Sequence, residues 1–260
     1  MKILLSITLM LGAVATASAQ SENPPILTPD LTEGIFQDAD GSNSIINAGS
    51  LEGHFILREG EGRVEIVEDN GRKILKFSPT ALASETETRL PCLVFQKMPA
   101  DFMDGVTFQA RVRPDSGWLL PICDVLSARV SDRGTGMAIS YHPESGVVDV
   151  SSGEGPSPDN FSDVKFWGII SQPTTKIPAD DWTHLAAVYE PTKKQFLLYI
   201  NGQLAAESET GLELTAMSPD FTIGAYRRGY AYPFRGEMAD IAVYDYVRSE
   251  AQIQADAEKK

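Results

Sequence analysis

The chain has 260 residues, of which 42% are hydrophobic and 22% are charged. These fractions are typical of a folded globular protein and exclude a disordered, collagen-like or coiled-coil chain. The 36 acidic residues outnumber the 22 basic ones, so the formal net charge at pH 7 is -14. Because an acidic surface repels phosphate groups, we expect neither nucleic acid nor a membrane among the partners.

The N-terminus has the pattern of a secretory signal peptide. Lys2 is followed by a short apolar run, and small residues occupy positions 17–19. A basic start, an apolar centre and small residues before the cleavage point are typical of such a peptide. A membrane-spanning helix needs about 20 apolar residues, more than this run supplies. We therefore predict a signal peptide over residues 1–19, cleavage near Ala19/Gln20, and a secreted protein, either periplasmic or extracellular.

The remaining sequence is dominated by the pattern of β-strands. Apolar residues fall on every second position from Val106 to Val112, which places one face of a strand in a core. Similar runs recur between turn signals such as Asn201-Gly202. The predicted strands are 64–68, 73–78, 92–96, 106–113, 137–141, 146–151, 166–171, 184–190, 196–200, 220–224 and 237–245. Many short strands predict an all-β sandwich, jelly roll or barrel.

Two further segments complete the predicted layout. Residues 20–33 contain three prolines and little periodicity, so we predict a leader or linker there. Ser249-Glu250-Ala251-Gln252 has the spacing of a capping box and predicts a short C-terminal helix. No shift in composition divides the sequence between them, which indicates one domain over residues 34–256.

Three motifs follow one another in the C-terminal half of the chain. They are the hairpin Trp-Thr-His-Leu-Ala to Leu-Tyr-Ile-Asn-Gly (182–202), Phe-Thr-Ile-Gly (221–224) and Phe-Arg-Gly-Glu-Met-Ala-Asp-Ile (234–241). In this order they resemble the laminin-G-like domains of the concanavalin A-like lectin/glucanase superfamily. The resemblance is clear over 182–253 and extends loosely back to residue 106. It implies a jelly-roll β-sandwich of two antiparallel sheets with a short C-terminal helix.

Two prominent residues of the hairpin motif favour packing over chemistry. Trp182 is flanked by core-pattern residues, so we interpret it as a packing anchor. His184 alternates with Ala186 and Val188, so we expect a buried histidine whose ring is hydrogen-bonded.

The sequence lacks the acidic motif that the resemblance implies for a glycan-cleaving enzyme. Such relatives carry Glu-x-Asp-x-Glu on one strand, with the acids on one face. The nearest pairing here, Glu237 with Asp240, has an odd spacing that predicts opposite faces. His54, His142 and His184 are scattered and show no metal-binding spacing. We therefore expect no catalytic residue and no enzyme.

Calcium is the one candidate cofactor. Asp38 and Asp40 offer closely spaced oxygen atoms around a glycine turn, as a hard cation requires. Their segment resembles an early Asp-Ser-Gly segment of family members, many of which bind calcium. The family's aspartate in the closing strand is replaced by Ala239, however. The alternative is a turn rich in aspartate and asparagine without a metal.

The only two cysteines, Cys92 and Cys123, are both in the predicted mature chain. In an oxidising compartment an even count favours a disulfide, which we predict between them. The alternative is a pair of buried free thiols, since cysteine packs well as a small apolar residue.

The stretch from Tyr226 to Arg235 is the strongest candidate for ligand binding. Aromatic rings stack on sugar rings, and arginine pairs with hydroxyl or carboxylate groups. The candidate residues are Tyr226, Arg227, Arg228, Tyr230, Tyr232 and Arg235, and Trp118, which follows the turn-like segment 114–117, is a secondary candidate. The alternative is a loop whose aromatic residues cover the core and whose arginines balance nearby acids.

These observations predict a secreted, non-catalytic binding module that recognises carbohydrate or a glycosylated surface. A protein-interaction or structural module of the envelope or matrix, with no sugar site, is the second hypothesis. A glycan-cleaving enzyme is the third.

Overall fold

The computed structural model describes residues 23–81, 89–99, 102, 104–118, 120–130, 135–154, 166–170, 175–214 and 216–259. The predicted signal peptide, residues 1–19, lies outside them. The strands are β1 (Phe36–Gln37), β2 (Asn43–Ile46), β3 (His54–Arg58), β4 (Gly62–Asp69), β5 (Arg72–Pro79), β6 (Cys92–Gln96), β7 (Val106–Pro114), β8 (Cys123–Ser127), β9 (Met137–His142), β10 (Val147–Glu154), β11 (Phe166–Ile170), β12 (Thr183–Glu190), β13 (Gln195–Ile200), β14 (Gln203–Glu207), β15 (Asp220–Ile223) and β16 (Gly236–Tyr244). Helix α1 covers Glu250–Glu258.

Two antiparallel sheets pack face to face. Within the described residues, one has nine strands in the order β1-β2-β3-β6-β15-β8-β9-β10-β11, and the other has seven in the order β14-β13-β12-β7-β16-β5-β4. Eight of the fourteen neighbouring pairs in these orders are consecutive in the chain, and the other six join strands that are distant in sequence, as expected for a jelly roll. The prediction of an all-β jelly-roll sandwich with a short C-terminal helix is therefore confirmed.

The core lies between the sheets and follows the predicted alternation. On β7, the side chains of Val106, Phe108, Ala110 and Val112 are fully buried in it. Phe108 meets Phe221 of the other sheet edge-on, with ring centroids 5.2 Å apart. Alternate residues of each strand point away from the core, and we call the surface they form the outer face of that sheet.

The segment predicted as a leader, residues 20–33, contributes to this core. Ile26 and Leu27 are buried, and Leu27 forms a bridge with Val243 of β16. The packed structure therefore includes residues on the N-terminal side of position 34.

Helix α1 lies on the outer face of the seven-stranded sheet. Ser249 and Gln252 form the predicted capping box. Ile253 packs with Ala186, Val188 and Tyr199 of the sheet.

Among the described residues, no helix combines the length and apolar character needed to cross a bilayer.

Polar contacts also hold the helix on the sheet. The Asp256 carboxylate accepts hydrogen bonds from Gln109 at 3.0 Å and from Arg248 at 2.6 Å. Arg111 donates to the backbone carbonyls of Asp256 and Ala257, at 3.0 and 2.6 Å. Arginine bound to the last carbonyls of a helix stabilises its C-terminus.

His184 is buried close to these charged groups. Within the described part of the chain, neither ring nitrogen of His184 has a hydrogen-bond partner, so the prediction of a hydrogen-bonded ring is wrong. Burial, together with the nearby charge of Arg111, lowers its pKa to about 4. The ring is therefore neutral at pH 7.

The predicted disulfide is wrong, because Cys92 and Cys123 are buried free thiols. Cys92 is on β6 and Cys123 on β8, with β15 between them. Two strand spacings are about 10 Å, beyond the Cα separation that a disulfide spans. Cys92 packs with Val94 and Ala225 on the outer face, whereas Cys123 belongs to the main core. Burial raises the pKa of the Cys92 thiol to about 12.

Candidate functional site

The predicted ligand-binding loop crosses from one sheet to the other at the rim of the sandwich. It leaves β15 of the nine-stranded sheet at Ile223 and enters β16 of the seven-stranded sheet at Gly236. Its residues therefore divide into two groups. Arg235, together with Trp118, lines a cleft beside the seven-stranded sheet. The residues from Tyr226 to Tyr232 lie nearer the other sheet.

The cleft, which we call the rim cleft, has a volume of about 750 Å³. Its polar lining is Lys76, Ser78, Thr80, Arg113, Asp115, Asp180, Arg235 and Glu237. Lys76, Glu237 and Arg113 lie side by side on β5, β16 and β7. They point outward because their neighbours Phe77, Met238 and Val112 point into the core. The rim cleft is thus the end of the outer face of the seven-stranded sheet, closed by the adjoining loops.

Trp118 and Arg235 form one wall of the rim cleft. The indole N–H of Trp118 donates to the carbonyl of Pro233 at 3.0 Å. The guanidinium carbon of Arg235 lies 5.5 Å from the centroid of the Trp118 ring. Arg235 Nε is 2.8 Å from the Asp115 carboxylate. Trp118 is only 8% exposed, so it supports the Arg235 side chain more than it presents an open ring face.

Carboxylates occupy fixed positions around the same cleft. Glu237 pairs with Arg113. Asp180 accepts a hydrogen bond from the backbone N–H of Ser116 at 3.1 Å. The hydrogen bonds from Ser116 hold the pKa of Asp180 below its usual value. Asp180 is therefore ionised at neutral pH, as an acceptor of hydrogen bonds and not as a donor.

Tyr226 and Tyr232 belong to the other part of the loop, near the outer face of the nine-stranded sheet. Their ring centroids are 5.7 Å apart. Tyr226 is 4% exposed, and the guanidinium carbon of Arg129 lies 4.9 Å from its ring centroid. Arg129 is itself buried and forms an ion pair with Asp124 at 2.8 Å. Tyr226 thus covers a buried ion pair.

The remaining loop residues point outward near β15. Arg228 forms an ion pair with Asp220 at 2.6 Å, and hydrogen bonding to Asp220 raises its pKa. Arg227 is exposed. Tyr230 is 50% exposed, and the guanidinium carbon of Arg89 lies 3.6 Å from its ring centroid. These three residues do not line the rim cleft.

Asp38 and Asp40 make protein contacts in the turn before β2. Asp38 accepts a hydrogen bond from Ser44 and lies 3.1 Å from His54. Asp40 accepts from the backbone N–H of Ser42 at 2.9 Å. In the described ranges, no group of three or more histidine, cysteine or acidic side chains is arranged to hold a metal ion. Calcium binding by this turn stays a prediction.

Glu237 and Asp240 lie on the same face of β16, so the prediction of opposite faces is wrong. The pairing of β16 with β7 shifts register between Ala239 and Ala242. Asp240 has a φ of 50° within this bulge. Its carboxylate pairs with Arg72 and with Arg111 on the outer face. A β-bulge adds one residue to a strand and so reverses the alternation beyond it.

Sequence reasoning missed Lys76, Arg113, Asp180 and Glu237 as residues of the cleft. The alternation of β7 does indicate that Arg113 points outward. The neighbours it meets come from strands that are remote in sequence, since Glu237 is 124 positions away. No local pattern gives that pairing.

Several solved structures share the fold at low sequence identity. The binding domain of botulinum neurotoxin serotype D is 10% identical, with a TM-score of 0.58, and the match covers 91% of this chain and 52% of that one. The binding domain of botulinum neurotoxin DC, solved in complex with SialylT, is 11% identical with a TM-score of 0.54, covering 86% of this chain and 49% of that one. This chain therefore spans about half the length of these toxin domains.

A further structural match is weaker. The heptameric SAP-like pentraxin from Limulus polyphemus is 18% identical with a TM-score of 0.48, and the match covers 68% of this chain and 80% of that one. None of the curated proteins compared with the chain matches it.

A family match is decisive for classification. Residues 100–254 match the sequence model Laminin_G_3, which describes the concanavalin A-like lectin/glucanases superfamily. The match spans more than half of the 260 residues and includes the motifs at 182–202, 221–224 and 234–241. The chain therefore belongs to the concanavalin A-like lectin/glucanases superfamily.

Proposed function

We propose that this protein is a secreted, non-catalytic module that binds carbohydrate in the rim cleft. The observation that carries the proposal is the mixed lining of that cleft. Three cations, Lys76, Arg113 and Arg235, face the same space as three carboxylates, Asp115, Asp180 and Glu237. Ser78 and Thr80 add hydroxyl groups.

This lining matches the hydrogen-bonding chemistry of a sugar. A hydroxyl group both donates and accepts hydrogen bonds, so a ligand with many hydroxyls can satisfy lysine, arginine and carboxylate groups together. The three carboxylates would repel a polyphosphate, because both are negatively charged. An apolar ligand would desolvate all these charged groups without offering them hydrogen bonds. The cleft volume of about 750 Å³ is also within the usual range for small-molecule sites.

The arrangement of the acids favours binding over hydrolysis. A glycosidase needs one protonated carboxylic acid beside a second, ionised carboxylate. Asp115 and Glu237 are each engaged by an arginine, and Asp180 is ionised. The superfamily includes lectins as well as glucanases, so the fold itself does not decide between these activities.

A glycan array with residues 20–260 tests the proposal, run with calcium and with a chelator. We expect a defined class of glycan to bind, and Arg235→Ala to weaken it about tenfold or more, since a charged hydrogen bond contributes about 1.5–3 kcal/mol. The matched control is Lys194→Ala. Lys194 is also a partly exposed cation with an acidic partner, Glu213, but it lies in the turn after β12, at the opposite rim.

Three results would contradict the proposal. If no glycan on the array binds protein that is shown to be folded, carbohydrate is excluded as the ligand class. Loss of binding on Arg228→Ala but not on Arg235→Ala would move the site to the face near β15. New reducing ends released from a bound glycan would favour the glycan-cleaving enzyme. Binding that requires calcium would support a metal role for Asp38 and Asp40.

A protein partner is the second candidate, and one observation favours it. Ile35, Phe36 and Ile46 are large apolar side chains that are exposed near β1, an edge strand of two residues. An apolar patch beside an open strand edge is a common feature of protein interfaces. A blank array, together with a partner whose binding Phe36→Ser abolishes, would favour this function.

A further inference from the structure

A second pocket lies on the outer face of the seven-stranded sheet, next to the end of helix α1. We call it the sheet pocket; its volume is about 590 Å³. Ile74 of β5 and Ala239 of β16 lie beneath it and are almost fully buried, whereas Ala257 of the helix is partly exposed. The indole of Trp182 lines the same pocket. Trp182 is only partly buried, unlike the core aromatic residues.

The sheet pocket directly continues the rim cleft along the strands. Three adjacent strands each give one outward residue to the rim cleft and the next outward residue to the sheet pocket. These pairs are Lys76 and Ile74 on β5, Arg113 and Arg111 on β7, and Glu237 and Ala239 on β16. Two residues of a strand span about 7 Å, so the two floors are about that far apart.

Trp182 connects the two spaces. The guanidinium carbon of Arg113, which lines the rim cleft, lies 4.9 Å from the centroid of the Trp182 ring. The indole N–H of Trp182 donates to Asp69 at 3.1 Å, and Asp69 lies 3.5 Å from Arg113. A ligand that contacts Arg113 is therefore next to the indole ring as well.

We infer that the two spaces are subsites of one track and that Trp182 contacts the ligand. The ligand class is an oligosaccharide that runs along the strands, longer than a single sugar, and the inference rests on the proposed function above. Each sugar ring has hydroxyl edges and an apolar C–H face. The rim cleft offers charged partners for the hydroxyls, and the sheet pocket offers the partly exposed side chains of Trp182 and Ala257 for a C–H face. Trp182 is then more than the packing anchor that its sequence position suggests.

The test uses free oligosaccharides of the glycan class that binds the protein on the array. Each oligosaccharide is compared with the monosaccharide from which it is built. Indole N–H signals of Trp118 and Trp182 are followed by two-dimensional NMR and assigned with Trp118→Phe and Trp182→Phe. We expect an oligosaccharide to shift both signals with the same midpoint. Trp182→Ala should weaken oligosaccharide binding about tenfold and leave monosaccharide binding unchanged. The control Phe36→Ala removes an exposed aromatic residue from the other sheet and should change neither affinity.

The possible results separate this inference from the proposed function. Suppose that Arg235→Ala abolishes binding, but that the oligosaccharide leaves the Trp182 signal of the wild-type protein unshifted or shifts it with a midpoint different from that of Trp118. The single track is then wrong, and the proposed binding in the rim cleft stands. If no glycan binds, both fail. If Trp182→Ala does not fold, the wild-type titration decides alone, because it requires no variant beyond the Phe substitutions used for assignment.

Discussion

Asp256→Asn tests how strongly buried charge holds helix α1 on the sheet. The substitution keeps the shape of the side chain and removes its charge. Arg248 then loses its ion-pair partner while its side chain is only 3% exposed. Removing one partner of a buried ion pair costs about 3–5 kcal/mol.

The other two partners of Asp256 change this magnitude little. Lys259 is 68% exposed, so its ion pair contributes at most about 1 kcal/mol. The amide of Gln109 can still donate to the asparagine carbonyl, so most of that hydrogen bond is retained. We therefore expect the free energy of unfolding to fall by about 3–5 kcal/mol at pH 7.

Urea unfolding followed by circular dichroism measures this loss, and the melting temperature should fall by roughly 6–20 °C. Glu258→Gln is the control, since Glu258 is an exposed acid on the same helix and should change stability by less than about 0.5 kcal/mol. Equal stability of the two variants would refute the argument that the buried pair with Arg248 holds the helix.

The same residue predicts an acid dependence. Burial acts to raise the pKa of Asp256, but hydrogen bonds from Lys259 and Gln109 outweigh it and hold the pKa below its usual value. A lowered carboxyl pKa stabilises the fold above the unfolded value, and this stability is lost as the pH falls below about 4. Asp256→Asn should therefore flatten the stability profile in that acid range.

Three further predictions follow from titratable groups that are buried or partly buried. Because the pKa of His184 falls to about 4, stability should decrease as the pH drops from about 6.5 towards 4, by up to about 3 kcal/mol, and urea unfolding of His184→Leu should lack that decrease. His142 behaves oppositely, because its hydrogen bond to Asp149, 2.6 Å long, raises its pKa. The stabilisation from His142 is therefore present below the unfolded pKa of about 6.5 and is lost as the pH rises through the raised pKa. An NMR titration of the His142 ring should show a lower pKa in Asp149→Asn than in the wild-type protein. Cys92 and Cys123 should react with Ellman's reagent only after unfolding, and a reducing agent should leave the melting temperature unchanged. A melting temperature that changes on reduction would instead support a disulfide between them.

Sequence reasoning works in this protein where the structural signal is local. The alternation of β7 and the capping box at Ser249 depend on residues a few positions apart, and both predictions are confirmed. Strand β8 was missed because Asp124, a fully buried acid, interrupts its apolar pattern. That acid is tolerated because Arg129 pairs with it, and a local pattern contains no sign of such compensation.

The candidate site was predicted only in part for the same reason. Trp118 and Arg235 are unusual residues in their own segments, and the structure brings them together. The bulge at Asp240 and the opposite facing of Cys92 and Cys123 depend on how strands pair across the sheets. Such pairing is a property of the whole fold, so no short motif specifies it.

The bridge between Leu27 and Val243 brings the first described segment of the chain beside its last strand. Tyr246 also donates a hydrogen bond to the carbonyl of Asn23 at 3.0 Å, so the chain enters the sandwich beside the place where its last strand leaves. Neighbouring ends make a domain suitable for circular permutation and for insertion into a loop of another protein. A linker that spans about 13 Å, the length of helix α1, could therefore join the end of that helix to residue 23. New termini in an exposed turn such as residues 191–194 should preserve both sheets and the rim cleft.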